Sequence, residues 1–248
     1  MYLKDDGSLI HIEIDRPHDR SDRHPLVIVI HGFTGNMEER HIVGVSQMLN
    51  EIGFATLRVD MYGHGSSEGF FYNHTLFKWL TNALTVIDFA RKLEWVTDLY
   101  LCGHSQGGLT SMLAAGMKHE LIKGLVPMSP AIMIPDQARK GLLLGGPFDP
   151  DRIPDTLVDP EGNWEISGNY ARVAQLIHVE DAIQKYNGPV LLVHGTADDC
   201  VPVSCSIEAQ KAYADAELVL IPDDTHCFDL HLDQAVEAVR TWMLKKII

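Results

Sequence analysis

Apolar and polar positions follow two alternating patterns along this chain. Short, continuous apolar runs rich in β-branched residues, such as residues 26–30, are typical of strands that are covered on both faces of a sheet. Segments with apolar residues at helical spacing follow most of these runs. The patterns predict strands at residues 9–14, 26–30, 54–59, 99–102, 122–128, 189–194 and 217–221, and helices at residues 38–52, 75–93, 109–117, 203–214 and 230–247.

The alternation of strands and helices predicts an α/β fold with a doubly wound, mostly parallel sheet. Asp6-Gly7 indicates a hairpin turn near the start of the chain, and the polar residues 16–24 form a connecting loop. The alternation stops after residue 128, where prolines and glycines recur. We expect residues 1–128 and 189–248 to form the core and residues 129–188 a small inserted cap, with helices at 135–140 and 170–186 and an irregular, mobile remainder.

Composition narrows the classes of partner. The 248 residues, of which 46% are hydrophobic, suffice for one large core. A formal net charge of -14 without any basic run argues against nucleic acid or an anionic membrane as partner. Four cysteines without C-x-x-C spacing fit free thiols in a reducing compartment, and the first residues lack the apolar core of a signal peptide. We therefore expect a cytoplasmic protein with a small-molecule partner; a homodimer is compatible with the sequence.

One segment combines a strand, a tight turn and a helix around a serine. Gly103-His104-Ser105-Gln106-Gly107 matches the G-x-S-x-G pattern of a nucleophile elbow, in which flanking glycines allow a sharp turn and expose the serine hydroxyl at a helix N-terminus. The three fixed positions alone recur by chance in about one chain of this length in ten. The strand-turn-helix context makes Ser105 the candidate nucleophile.

A serine hydroxyl needs a positioned imidazole to become nucleophilic, and the imidazole needs a carboxylate to fix its tautomer. In α/β folds of this kind the nucleophile comes first in the chain, then the acid, then the histidine. After Ser105, the candidate acid is Asp198, which follows a predicted strand, and the candidate histidine is His226, which follows the last predicted strand. Asp199 is the alternative acid; the Val201-Pro202 that follows favours Asp198.

An ester carbonyl under attack also needs two backbone N–H donors for its developing oxyanion. The Gln106 amide lies in the first turn after the elbow. The Phe33 amide follows a strand expected beside the elbow strand, and the glycines on either side of it, Gly32 and Gly35, let the backbone approach closely. We expect these two amides to form an oxyanion hole.

Other polar residues have simpler interpretations. Asp60 precedes the serine, so a turn-capping role is favoured over that of the catalytic acid. No metal-ligand spacing and no nucleotide-binding glycine motif is complete, so no metal or organic cofactor is expected. Small buried side chains explain Cys102 and Cys227. Four histidines beside glycines are interpreted as hydrogen-bonding groups that hold loops together: His31, His64, His104 and His194.

Taken together, these motifs resemble the α/β-hydrolase superfamily and, within it, the bacterial cinnamoyl and feruloyl esterases. The matching segments are His31-Gly32-Phe33-Thr34-Gly35, Asp60-Met61-Tyr62-Gly63-His64-Gly65-Ser66, Gly103-His104-Ser105-Gln106-Gly107-Gly108, the Asp198 loop, Thr225-His226-Cys227 and, in the cap, Ser129-Pro130-Ala131 and Gly168-Asn169-Tyr170. The resemblance implies an α/β-hydrolase core, with the cap inserted into it.

The resemblance also implies a serine esterase that cleaves feruloyl, caffeoyl or coumaroyl esters of plant sugars or quinic acid. The cap would then cover the aromatic acid, with Asp136 meeting its phenol hydroxyl and with Trp164 and Phe148 as an aromatic wall. Two alternatives remain: an acyl-glycerol lipase or general carboxylesterase, and a hydrolase fold without catalysis that serves for binding.

Overall fold

A computed structural model describes residues 1–19 and 21–246. Its strands are β1 (Tyr2–Asp5), β2 (Ser8–Asp15), β3 (His24–Ile30), β4 (Ala55–Val59), β5 (Val96–His104), β6 (Ile122–Met128), β7 (Leu142–Leu143), β8 (Gly146–Pro147), β9 (Thr156–Val158), β10 (Glu165–Ser167), β11 (Val190–Gly195) and β12 (Ala216–Ile221). Its α-helices are α1 (Arg40–Glu51), α2 (Leu76–Ala90), α3 (Gln106–Met117), α4 (Ile134–Arg139), α5 (Asn169–Ala174), α6 (Val179–Lys185), α7 (Ser204–Ala212) and α8 (Leu232–Leu244).

Eight of these strands form one sheet in the order β1-β2-β4-β3-β5-β6-β11-β12. The strand β2 runs antiparallel to β1 and β4, and the pairs from β4 to β12 are parallel. The register aligns the carboxyl ends of the central strands: Ile30 pairs with Gly103, and His104 pairs with Met128. The loops that follow these strands therefore meet at one edge of the sheet, which is where open α/β sheets bind their ligands.

Helices cover both faces of the sheet, as a doubly wound fold requires. Apolar residues of α1 and α8 pack on one face, and those of α2, α3, α6 and α7 pack on the other. The run Leu26–Ile30 is at most 1% exposed, which explains why it is apolar without alternation. The predicted α/β fold with a mostly parallel sheet is confirmed.

The segment between β6 and β11 is more regular than the sequence predicted. It holds two short hairpins, β7–β8 and β9–β10. Leu144 and Gly145 join β7 to β8 with positive φ angles of 44° and 89°, the signature of a two-residue hairpin turn. The two hairpins correct the prediction of a wholly irregular remainder, while residues 148–155 and 159–164 form neither helix nor strand.

The predicted helix at 170–186 is also wrong, because the structure divides it into α5 and α6. The Arg139 guanidinium donates to the carbonyl oxygens of Gln175 (3.1 Å) and Ile177 (2.8 Å). In a continuous helix these carbonyls would accept from amides four residues later. Arg139 therefore stabilises a break that the helical periodicity of the sequence does not show.

The helix α6 belongs to the layer of core helices. A Cβ atom added to Gly116 of α3 would lie 2.7 Å from the Cα of Ala182 in α6, so the two helices are in close contact. We therefore propose that the inserted cap ends before Val179 rather than at residue 188.

The last helix, α8, ends at Leu244. Its predicted end at Ile247 lies outside the described residues, as does Arg20 in the loop 16–24. Among the described residues, no helix is long and apolar enough to cross a bilayer.

Candidate active site

Ser105 occupies the corner between β5 and α3 in a strained conformation. Its φ of 56° and ψ of -120° lie outside the regions that L-residues usually adopt. Its N–H donates to the Met128 carbonyl (2.9 Å), and its carbonyl accepts from the amides of Leu109 and Ala131 (3.1 Å each). Three backbone hydrogen bonds thus hold the strained turn in place, as expected where strain is kept at a functional site.

Two glycines make this turn possible. A Cβ atom on Gly103 would lie 2.2 Å from the Gly107 carbonyl oxygen, and one on Gly107 would lie 2.3 Å from the His31 carbonyl oxygen. Any side chain would therefore push α3 away from the strands β3 and β5. The glycine spacing in the sequence reflects this close backbone approach.

Asp198 is the centre of a hydrogen-bonded loop after β11. Its Oδ1 accepts the amides of Cys200 (2.9 Å) and Val201 (2.8 Å). Its Oδ2 lies 2.7 Å from His226 Nδ1 and 3.1 Å from His194 Nε2. Both carboxylate oxygens are therefore fully engaged, and the side chain is 0% exposed.

These contacts distinguish Asp198 from the rival Asp199, which is exposed and does not contact His226 in the described structure. Burial by itself raises the pKa of Asp198, but hydrogen bonds from His194, from His226 and from the Val201 amide outweigh it and hold that pKa well below its usual range. Asp198 is thus a permanent anion at neutral pH, which is what the orientation of an imidazole requires.

The loop that carries His226 is fixed by neighbours from distant parts of the chain. The Nε2–H group of His104, next to the elbow serine, donates to the His226 carbonyl (2.8 Å). The Arg40 guanidinium donates to the carbonyls of Phe228 (2.9 Å) and Asp229 (3.0 Å). The imidazole therefore belongs to a rigid loop rather than to a free one.

Asp224 organises the same loop from inside. It is 0% exposed, and its carboxylate accepts the amides of Thr225 (2.9 Å), Leu230 (3.0 Å) and His231 (3.2 Å). Three otherwise orphaned backbone donors are satisfied by one side chain. The sequence analysis missed this residue, and its only local signal is an aspartate within a turn.

Ser105 and His226 line one cavity of about 460 Å³ at the carboxyl edge of the sheet. Their side chains, both described, do not hydrogen-bond to each other in this structure. Such catalytic hydrogen bonds are commonly long without substrate and tighten in the complex. The cap contributes a second wall: Met133, Gln137, Leu144, Gly145, Asp159, Asn163 and Trp164.

The amides predicted for the oxyanion hole lie at the loop after β3 and at the start of α3. Within the described part of the chain, neither the Phe33 nor the Gln106 amide donates to another protein group. The Phe33 ring makes edge-to-face contacts with Trp164 (centroids 5.5 Å apart) and Tyr170 (5.8 Å) of the cap. The Phe33 loop is thereby held against the cap, and the role of its amide stays a prediction.

Buried histidines fix the Phe33 loop, as the sequence analysis interpreted them. His31 Nε2 accepts the Met61 amide (3.0 Å), so the ring proton is on Nδ1 and is donated to the Gly32 carbonyl (2.7 Å). Burial lowers the pKa of His31 to about 3, so the ring stays neutral. The Nε2 of His64 contacts the Phe33 carbonyl.

A tyrosine from the cap is tethered to the residue after the serine. The Tyr170 hydroxyl donates to Gln106 Oε1 (2.5 Å), and both side chains are 0% exposed. The side-chain nitrogen of Gln106, Nε2, is also buried and has no partner among the described residues. The hydrogen bond from Tyr170 is therefore the one that the Gln106 side-chain amide makes within the described structure.

We predict that Tyr170→Phe lowers the free energy of unfolding by about 1–3 kcal/mol, because it leaves a buried acceptor without a donor. The matched control is Tyr213→Phe: the Tyr213 hydroxyl is buried without a partner, so its removal should be neutral or stabilising. Denaturant unfolding of both variants provides the comparison. Equal loss of stability in the two would contradict the tether.

The cap residues proposed from the resemblance are placed differently. The Asp136 side chain is 67% exposed, forms an ion pair with Arg139 (2.5 Å) and is absent from the cavity lining. The next residue, Gln137, lines the cavity, and its Oε1 is buried without a partner among the described residues. The turn of α4 thus directs Gln137 rather than Asp136 towards the cavity.

The two aromatic residues proposed from the resemblance, Trp164 and Phe148, differ in the cavities that they line. Trp164 lines the catalytic cavity, whereas Phe148 lines a separate cavity of about 310 Å³ within the cap. Trp164 borders both cavities. Only Trp164 of the two can therefore form a wall for a ligand beside Ser105.

Asp60 caps its turn, as predicted: its carboxylate accepts the amides of Met37 (2.9 Å) and Ser66 (2.8 Å). Three possible metal ligands, Asp198, Asp199 and Cys200, lie within 4.8 Å of one another in the described chain. Burial and the Asp199 charge raise the pKa of Cys200 to about 11, so its thiol is protonated at neutral pH. This donor set is poorly suited to a metal ion.

A sheet of this order, with a strained serine turn after β5 and an acid–histidine pair after the last two strands, is the α/β-hydrolase fold of a serine esterase. The chain belongs to the family described as "Serine aminopeptidase, S33", whose model matches residues 21–177. It is similar over its whole length to Est1E from Butyrivibrio proteoclasticus, solved with ferulic acid bound: 55% identity, 100% of this chain and 99% of that chain covered, and a TM-score of 0.97.

More distant relatives share the fold. The mitochondrial palmitoyl-protein thioesterase ABHD10 of Mus musculus is 26% identical over 226 residues, which cover 84% of this chain and 72% of that protein. The monoacylglycerol lipase of Paleococcus ferrophilus is 21% identical with a TM-score of 0.72, covering 95% of this chain and 98% of that chain. The likeness to the Paleococcus ferrophilus lipase shows the fold alone.

Proposed function

We propose that the protein hydrolyses esters of hydroxycinnamic acids, such as feruloyl, caffeoyl and coumaroyl esters. The observation that carries this proposal is the match to Est1E, which binds ferulic acid and shares 55% of its residues with this chain across the full length. A cavity beside Ser105, with Trp164 in its wall, is compatible in position with an aromatic acyl group.

The proposed reaction begins when Ser105 Oγ attacks the ester carbonyl carbon and His226 Nε2 takes the hydroxyl proton. Asp198 holds the Nδ1 proton of His226 and stabilises the imidazolium that forms. The amides of Phe33 and Gln106 donate to the oxyanion of the tetrahedral intermediate. Their preorganisation at the ends of β3 and β5 means that little rearrangement is needed.

The intermediate collapses when His226 gives its proton to the leaving alcohol oxygen, which breaks the C–O bond and leaves an acyl-serine. A water molecule then loses a proton to His226 and attacks the acyl carbon. The second intermediate releases the carboxylic acid and returns the proton to Ser105. Protons and electron pairs balance within these groups and the water.

Gln137 is the proposed contact for the phenol hydroxyl of the acyl group, in place of Asp136. Its buried Oε1 has no donor within the described structure and lines the cavity, so a phenol O–H would satisfy it. A site built to pair with a hydroxyl disfavours the analogue that lacks it.

We therefore predict that Gln137→Met, which keeps the volume and removes the acceptor, lowers kcat/KM for methyl ferulate by about tenfold. Methyl cinnamate, which has no phenol, should lose far less. The ratio of the two kcat/KM values measures the contact, and an unchanged ratio would remove Gln137 from the acyl site.

A substrate panel tests the activity itself. Initial rates on methyl ferulate, on p-nitrophenyl esters of increasing chain length and on an S-palmitoyl thioester separate a hydroxycinnamate esterase from a lipase or from the thioesterase activity named for ABHD10. We expect the highest kcat/KM on methyl ferulate. Preference for the long acyl chains would replace the proposal, and failure to react with a fluorophosphonate probe would indicate a binding protein.

The remaining expectations concern the setting of the enzyme. The four cysteines are free thiols, which supports the proposed cytoplasmic location. A homodimer stays a prediction that sedimentation equilibrium would check.

A further inference from the structure

The catalytic cavity is lined by carboxylates without any balancing lysine or arginine. Glu39, Asp159 and Asp199 contribute to its wall, and every other lining residue of the described cavity is neutral or a histidine. A cleft lined by one sign of charge discriminates between ligands by their charge, because low-dielectric walls strengthen the field inside.

Two of these carboxylates lie on the side of the cavity that faces the leaving group. The alcohol oxygen must approach His226, which protonates it in the proposed reaction, so the alcohol lies against the lining residues around that imidazole. We call this wall the alcohol rim, and it consists of Thr34, Gly35, Glu39, Asp199, Cys200 and Cys227. The cap residues form the opposite wall.

Glu39 is the more buried of the two rim carboxylates. It follows the loop of the Phe33 amide and immediately precedes α1, and its carboxylate lies across Gly35, where a Cβ atom would be 2.0 Å from Oε2. Its Oε2 is buried without a hydrogen-bond donor among the described residues, and His41 Nε2 is 3.9 Å away. Burial raises the pKa of Glu39, and a backbone hydrogen bond from Asn36 and the nearby His226 oppose that rise.

We infer, on the basis of the proposed function, that the alcohol rim selects esters of neutral, hydroxyl-rich alcohols such as sugars and rejects esters whose alcohol carries a carboxylate. A neutral sugar brings hydroxyl donors and no charge to this wall. An anionic alcohol, such as quinate, brings a second negative charge next to Glu39 and Asp199 and finds no cation in the rim.

The test uses two substrates that differ in this charge and in one methyl group: feruloylquinate and its quinate methyl ester. At about 10 mM ionic strength, where screening extends over about 30 Å, we expect kcat/KM for the methyl ester to exceed that for the anion by about tenfold or more. At 1 M salt the ratio should fall towards one, because the screening length drops to about 3 Å.

Variants locate the effect. Glu39→Gln should reduce the low-salt ratio several-fold, and the double variant with Asp199→Asn should reduce it further. Glu120→Gln makes the same charge change at an exposed position after α3, outside the cavity lining, and should leave the ratio as in the wild type. Loss of discrimination in Glu120→Gln would show a general effect of net charge and overturn the assignment to the rim.

The outcomes separate this inference from the proposed function. Hydrolysis of methyl ferulate with equal kcat/KM for the two quinate substrates overturns the rim inference alone. A low-salt ratio that Glu39→Gln and the double variant do not change overturns it as well. Absence of activity on methyl ferulate, with active long-chain ester hydrolysis, overturns the proposed function instead.

Discussion

Ser105→Ala is expected to lower kcat for methyl ferulate by about 10⁴-fold or more, because no other group can form the acyl-enzyme. The fold should persist. The Ser105 hydroxyl makes no hydrogen bond to another described side chain, and the three backbone bonds of the turn do not involve it. Alanine and serine tolerate the positive φ equally poorly, so the strain of the turn is unchanged.

A neighbouring serine supplies the control for this substitution. Ser129 follows β6 at the same edge of the sheet, also has a positive φ (42°), and has a buried hydroxyl without a partner in the described chain. It does not line the catalytic cavity. Ser129→Ala should therefore keep wild-type kinetics, and thermal unfolding should show both variants folded. Substantial turnover by a folded Ser105→Ala would exclude the serine as nucleophile.

Asp198→Asn is expected to lower kcat by about 10³–10⁴-fold through the tautomer of His226. In the native protein the Nδ1–H group of His226 donates to Asp198 Oδ2, which leaves Nε2 free to take the serine proton. An asparagine amide can instead donate to Nδ1, which moves the ring proton to Nε2 and blocks the base. The measurement is kcat for methyl ferulate in both enzymes.

The adjacent aspartate tests the assignment of the acid. Asp199→Asn removes the same charge one residue away, but its side chain is exposed and does not contact His226 in the described structure. The decrease in kcat caused by Asp199→Asn should be at least about 100-fold smaller than the decrease caused by Asp198→Asn. The opposite ranking of the two variants would make Asp199 the acid and contradict the hydrogen-bonded arrangement of the structure.

His194 also contacts Asp198. Its Nε2 lies 3.1 Å from Asp198 Oδ2 and 3.0 Å from the Val201 carbonyl oxygen, and its Nδ1 lies 2.7 Å from the Ser206 hydroxyl. The sequence analysis interpreted it as a loop-holding histidine, and its contacts agree. Because one of the atoms it holds belongs to Asp198, this loop contact also helps to position the carboxylate that binds His226 Nδ1.

The local pattern of the sequence was sufficient for several features. The buried β-branched run of β3, the glycine spacing around Ser105 and the order of Ser105, Asp198 and His226 each depend on neighbours within a few residues or on chain order. Strand propensity, backbone strain and connection rules act at that range. For this reason the α/β fold and the candidate nucleophile followed from the residues themselves.

Tertiary contacts decided the rest. Arg139 ends α5 by binding the carbonyls of Gln175 and Ile177, which no periodicity shows. One turn of α4 places Gln137 in the cavity and leaves Asp136 in solvent.

The sequence by itself thus determined most elements of the core and where the serine stands among them. The folded structure decided which side chains line the cavity, including Glu39, whose Oε2 has no hydrogen-bond partner among the described residues. The physical reason is that backbone preference is local, whereas the direction and pairing of a polar side chain depend on groups that only the complete fold brings within hydrogen-bond distance.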